Sequence, residues 1–109
     1  MTDPAASRLE TFRAMVRRNP DNPLARFGLA NEAMKAGLDE EALEHLQAYL
    51  ERYDDEGNGW SRLGEVLARL GRADEARAAF TRGIEVSNRH GHGGMASEIE
   101  SRLEELGSD

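Results

Sequence analysis

The chain has 109 residues, of which 14 are Lys or Arg and 21 are Asp or Glu, giving a formal net charge of −7. At 39% hydrophobic residues it is one domain's worth of chain with a modest core. The lack of cysteine removes disulfides, thiolate metal sites and cysteine nucleophiles; no apolar run reaches the ~18 residues of a membrane span; and the acidic balance disfavours nucleic acid as a partner.

From the N-terminus, Arg8, Arg13, Arg17 and Arg18 interrupt the stretch where a leader's apolar core would lie, so no leader and a cytoplasmic setting are expected. Asp3-Pro4 reads as an N-cap followed by a first-turn proline and predicts a helix over 4–18. Asn22-Pro23 repeats that signal. Phe27, Ala30, Ala33 and Met34, with Leu29 beside them, then recur at helical spacing until Gly37, which can take the left-handed conformation that ends a helix. Asp39 can cap the next helix, whose buried stripe is Ala42, Leu43, Leu46, Tyr49 and Leu50, with Tyr53 near the end. Asn58 or Gly59 opens a helix with Trp60, Leu63, Gly64, Leu67 and Leu70, and Gly71 ends it. Asp74 opens its partner, lined by Ala76, Ala79, Phe80, Gly83 and Ile84. Residues 94–107 form a last helix, apolar at Ala96, Ile99, Leu103 and Leu106 and acidic at Glu98, Glu100, Glu104 and Glu105. No segment alternates with period two long enough for a strand, so the fold class is all-α.

The chain also repeats. Residues 23–56 laid over 57–90 align Gly37 with Gly71, Ala42 with Ala76, Leu29 with Leu63, Ala30 with Gly64, Leu46 with Phe80 and Leu50 with Ile84. Large apolar residues meet large ones and small meet small, as stacked helix pairs with close axes require. Gly107 falls 36 residues after Gly71, which predicts two extra residues in a loop over 88–94.

A 34-residue helix–turn–helix unit resembles the tetratricopeptide repeat. Trp60, Leu63, Gly64, Leu67, Ala76, Phe80 and Gly83 stand at that family's signature positions in 57–90; Leu29, Ala30, Ala42 and Leu46 fit in 23–56. There Arg26 replaces the signature Trp, Tyr49 a small residue and Asp54 the usual Pro. Phe12 and Pro20 match the second helix of a preceding unit. The resemblance implies one repeat domain over 1–109, with an N-terminal helix (4–18), two repeats (23–56 and 57–90) and a capping helix (94–107). These six helices would wind as a right-handed superhelix of hairpins.

It also implies a concave groove lined by first helices. The groove positions fall on Leu24, Phe27, Asn31, Met34 and Lys35, then on Asn58, Ser61, Glu65, Ala68 and Arg69, and on the last helix at Gly94, Ser97, Ser101, Glu104 and Glu105. Leu24, Phe27 and Met34 would form an apolar area, with Asn31, Lys35 and Arg69 as donors beside it and the glutamates making the other end acidic. Such a surface suits a peptide segment or helix of a protein partner, so a non-enzymatic scaffold or adaptor is expected, with no cofactor, nucleic acid or membrane partner. The alternative is a self-associating assembly unit, a homo-oligomer through exposed helix faces. Of the Lys/Asn cluster with which some family members hold a C-terminal carboxylate, only Asn31 is matched, so that mode is not expected.

Other chemistry is thin. His90 and His92 flank a glycine in a turn and make at most half a metal site. Asp54-Asp55-Glu56 lacks the ligand spacing of a calcium loop. Arg72, Arg77, Arg82 and Arg89 read as a solvated, salt-bridged helix face.

Overall fold

A computed structural model describes residues 4–107, so Asp3, the expected cap of the first helix, lies outside the described residues. The described chain is all-α: α1 (Pro4–Arg18), α2 (Pro23–Lys35), α3 (Asp39–Arg52), α4 (Asn58–Arg69), α5 (Ala73–Arg89) and α6 (Gly93–Glu105). None of these helices is long and apolar enough to cross a membrane. The chain divides after Tyr53 into two compact units, one holding α1–α3 and the other α4–α6.

Glycines set the turns. After α2, Gly37 takes φ +77°; its N–H donates to the Met34 carbonyl and that of Leu38 to the Ala33 carbonyl. After α4, Gly71 has the same φ, with its N–H bonded to Ala68 and that of Arg72 to Leu67. These paired bonds satisfy carbonyls that a helix end otherwise leaves open, and only glycine adopts the required φ without strain. The same turn recurs after α5, where Gly91 is at φ +77° and His92 donates to the Ser87 carbonyl. The expected loop over 88–94 is therefore a three-residue turn. The added length lies in the helices: α5 has 17 residues against 14 in α3 and α6 has 13 against 12 in α4, while the turn is shorter than the 53–57 connection. Asn88 and Arg89 extend α5 because the stop signal is Gly91, three residues after Asn88.

At the helix starts, Asn22 caps α2 as expected, its side chain accepting the Leu24 N–H at 3.1 Å. Asp39 and Asp74 instead lie inside the first turns of α3 and α5, where their charge still meets the positive helix end. The cap of α4 is Gly57, and the supporting side chain is the buried Asp55, whose Oδ1 accepts the N–H of Gly57 at 2.8 Å and of Gly59 at 2.7 Å. Asp55→Ala should therefore cost about 1–2 kcal/mol. Asp55→Asn, which keeps the acceptor, should recover most of it; thermal melts of the two variants check this.

In the first unit Leu9 and Val16 of α1 are buried with Leu29, Ala30 and Ala33 of α2 and Leu46 of α3. In the second, Leu63, Val66 and Leu67 are buried with Ala76, Phe80 and Val86 and with Ile99 of α6. Two glycines admit aromatic rings. A Cβ on Gly64 would lie 2.7 Å from Cζ of Phe80, and one on Gly28 would lie 2.8 Å from Cδ1 of Phe12. Gly64 was legible in the repeat; Gly28 was not, because its partner ring comes from α1. The Arg13 guanidinium of α1 also reaches Glu41 of α3 through two hydrogen bonds of 2.7 and 2.8 Å, which hold the Glu41 carboxyl below its ordinary range.

Candidate functional site

In the first unit α2 carries the predicted face. Leu24 is 76% exposed, the second residue of α2, directly behind Pro23. Phe27 is half-buried because its ring packs on that of Tyr49 in α3, with centroids 4.9 Å apart. Met34 is buried at 8% and belongs to the core. The apolar area expected from Leu24, Phe27 and Met34 is thus reduced to Leu24 and part of Phe27. Helical register put all three on one side, but Tyr49 of α3 covers Phe27 and Met34 is buried in the unit's core. Asn31 is half-buried, and Lys35 is exposed 3.5 Å from the buried carboxylate of Glu32, which Arg8 of α1 also approaches at 3.4 Å. Sequence reasoning missed the aromatic run Phe27–Tyr49–Tyr53. Its second step, 5.2 Å between Tyr49 and Tyr53, follows from their four-residue spacing on α3. Tyr53, expected on the buried stripe, is instead 46% exposed, because α3 ends at Arg52 and the chain turns extended there.

In the second unit α4 and α6 flank an open groove of about 470 Å³. Glu65, Ala68 and Arg69 line it from α4, Phe80 from α5, and Arg102, Glu105 and Leu106 from the α6 end. Four predicted positions, Glu65, Ala68, Arg69 and Glu105, come together here. Asn58 is exposed at the start of α4 and Ser61 is buried, and neither lines the groove. Gly94, Ser97, Ser101 and Glu104 are exposed on α6, also away from it. Arg102 had no place in the sequence reading, yet its guanidinium hydrogen-bonds Glu65 and so ties α6 to α4. Arg62 adds a second cation 3.6 Å from Glu65. The floor is apolar through Ala68, Phe80 and Leu106, and the walls carry Glu65, Glu105, Arg69 and Arg102. A groove of this chemistry can take a side chain with an apolar body and hydrogen-bond a polar backbone or head group.

Elsewhere, His90 Nδ1 and His92 Nε2 both approach Glu56 Oε1, at 3.5 and 3.4 Å. Among the described residues no three His, Asp or Glu side chains are placed to hold a metal ion together. Arg72, just before α5, pairs with Glu75, and on α5 Arg77 pairs with Asp74 and Arg82 with Glu85, while Arg82 also lies 5.9 Å from the Trp60 ring centroid.

Comparison with known proteins bears on what such helix pairs are. A family profile described as tetratricopeptide repeat matches residues 3–84. The TPR repeat-containing protein PA0015 of Pseudomonas aeruginosa is 33% identical over 98 residues, covering 90% of this chain and 93% of that protein. The Beta-barrel assembly-enhancing protease of Escherichia coli is 32% identical over 68 residues, and the Cytochrome c-type biogenesis protein CycH of Bradyrhizobium diazoefficiens is 36% identical over 67. This chain spans only 14% and 18% of those two proteins. The glycine-ended hairpins, the 34-residue recurrence and these matches agree: the chain belongs to the tetratricopeptide repeat family, whose members generally mediate protein–protein interaction.

Proposed function

We propose that this protein is a non-catalytic interaction module that holds a peptide segment or helix of a protein partner on the first-helix faces of its repeats. The observation that carries this reading is the α4–α6 groove, with an apolar floor and charged walls on the side where four predicted positions converge. On α2 the exposed Leu24 offers an apolar contact with Lys35 further along the helix. Interfaces of this kind draw most of their energy from a few buried apolar or Arg contacts.

The test is affinity capture from the native host, with captured proteins identified by mass spectrometry and the strongest hit re-expressed for titration. Arg69→Glu reverses one groove wall without touching the core, and Leu24→Ala removes the exposed apolar contact. Arg69→Glu is expected to weaken the purified partner about tenfold, a loss near 1.4 kcal/mol. Glu75→Lys, on α5 away from the groove, is expected to leave it unchanged. A partner that binds wild type, Arg69→Glu and Leu24→Ala equally well, with all three folded, would refute the groove reading.

A further inference from the structure

Position 26 departs from the family's signature pattern. Arg26 occupies the place of the signature Trp, and its guanidinium makes two bonds that join three pieces of the first unit. Nε donates to the Pro20 carbonyl in the turn between α1 and α2, at 2.9 Å. Nη1 lies 2.8 Å from Nδ1 of His45 on α3. A guanidinium can only donate, so Nδ1 must be the accepting, unprotonated nitrogen and the ring proton sits on Nε2. His45 is buried, with 8% of its surface exposed. A second proton on this imidazole would remove the acceptor and set two cations face to face at hydrogen-bond distance.

We propose that the Arg26–His45 contact is a proton-sensitive latch, which holds the start of α2 and the α1–α2 turn against α3 while His45 is neutral and releases them when it is protonated. The charges facing the ring are Arg13 from α1, Arg26 from α2, and Glu41 and Glu44 from α3. Arg13 and Glu41 are bonded to each other and largely offset one another at the ring. Glu44 favours protonation; burial and Arg26 oppose it. Burial is the larger of the two opposing causes, and His45 is held below the ordinary imidazole value of 6.5.

The sign follows. The unfolded chain takes up a proton near pH 6.5 while the folded unit does not. The latch therefore contributes fully above that pH, and its contribution is lost as pH falls from there toward the folded-state value. The release is local. Phe27 follows Arg26, and Tyr49 lies one turn beyond His45, so the latch borders the aromatic packing that supports the α2 face.

The experiment uses the full chain at pH 7.5 and pH 5.5. Histidine NMR titration should show one imidazole, absent in His45→Gln, titrating below the value of a free histidine. Hydrogen exchange of the amides of residues 22–30, corrected for intrinsic pH dependence, should speed by about fivefold at pH 5.5 in wild type. His45→Gln keeps a neutral acceptor for Arg26, so its corrected exchange should be the same at both pH values. His90 and His92 remain in that variant and control for their own titration. A His45 resonance titrating at or above the free value would overturn the latch. So would equal acid loosening in His45→Gln, or no loosening in wild type.

Discussion

Replacing Gly57 with alanine is expected to lower the melting temperature of the 54–107 unit more than the same change at any turn glycine. Gly57 caps α4 at φ +130°, a backbone conformation that side chains of L-residues rarely adopt. Holding such a conformation costs on the order of 1–3 kcal/mol. The new Cβ would also fall well inside contact distance of the Ser87 hydroxyl, 3.0 Å from Met95 Sδ and 3.3 Å from the Gly83 carbonyl. Ser87 is fully buried, and Gly83 is itself hemmed in by Trp60 and Ile99, so neither wall can give cheaply. Overpacking of this kind adds about 1–3 kcal/mol. A combined loss near 3–5 kcal/mol is a large part of the ~5–15 kcal/mol by which domains are stable, and each kcal/mol shifts a small domain's midpoint by about 4–8 °C. Gly71→Ala, in the same unit, is the control. Its φ is +77°, but nothing lies within 4 Å of the added carbon, so it carries only the backbone cost of about 1–2 kcal/mol. Equal midpoint losses in the two variants would show that the crowding around Gly57 is absent.

The second large effect concerns the Phe80–Gly64 contact. Phe80 is 2% exposed, and its ring lies where a side chain on Gly64 would stand. Phe80→Ala should cost about 3–5 kcal/mol through lost burial and the cavity left behind. Gly64→Ala gains about 1 kcal/mol of helix propensity, but its carbon would overlap the edge of the ring, and the clash wins. In Gly64→Ala/Phe80→Ala the new methyl enters the space the ring vacated. Urea denaturation of the four proteins should therefore give a double-mutant loss smaller than the sum of the single losses by about 1 kcal/mol or more. Strict additivity would mean that the two positions do not touch.

Both predictions rest on glycines, and glycines divide what could be read early from what could not. Gly37 and Gly71 are helix stops by their 34-residue recurrence alone, and both are found at φ +77°. Gly57 showed no such pattern. Its role depends on Asp55 folding back onto the start of α4 and on Ser87 arriving from α5. The groove divides similarly. Glu65, Ala68 and Arg69 are groove positions that the repeat resemblance implied on one helix, whereas Arg102 and Leu106 enter through the packing of α6, where repeat numbering had shifted.

The order of the six helices, the glycine stops after α2 and α4 and the family could be read from the amino-acid sequence, because stops and apolar period are local properties, whereas the caps of α3, α4 and α5 and the end of α5 fell elsewhere than expected. Tertiary structure alone decided which side chains on a given face stay wet. Leu24, Phe27 and Met34 share one register, yet they end exposed, half-covered by Tyr49 and buried in that order. It also decided that Arg26 would meet His45 across two helices. Burial and charge contact depend on what a neighbouring element brings within a few ångströms, and no spacing along one chain segment encodes that distance.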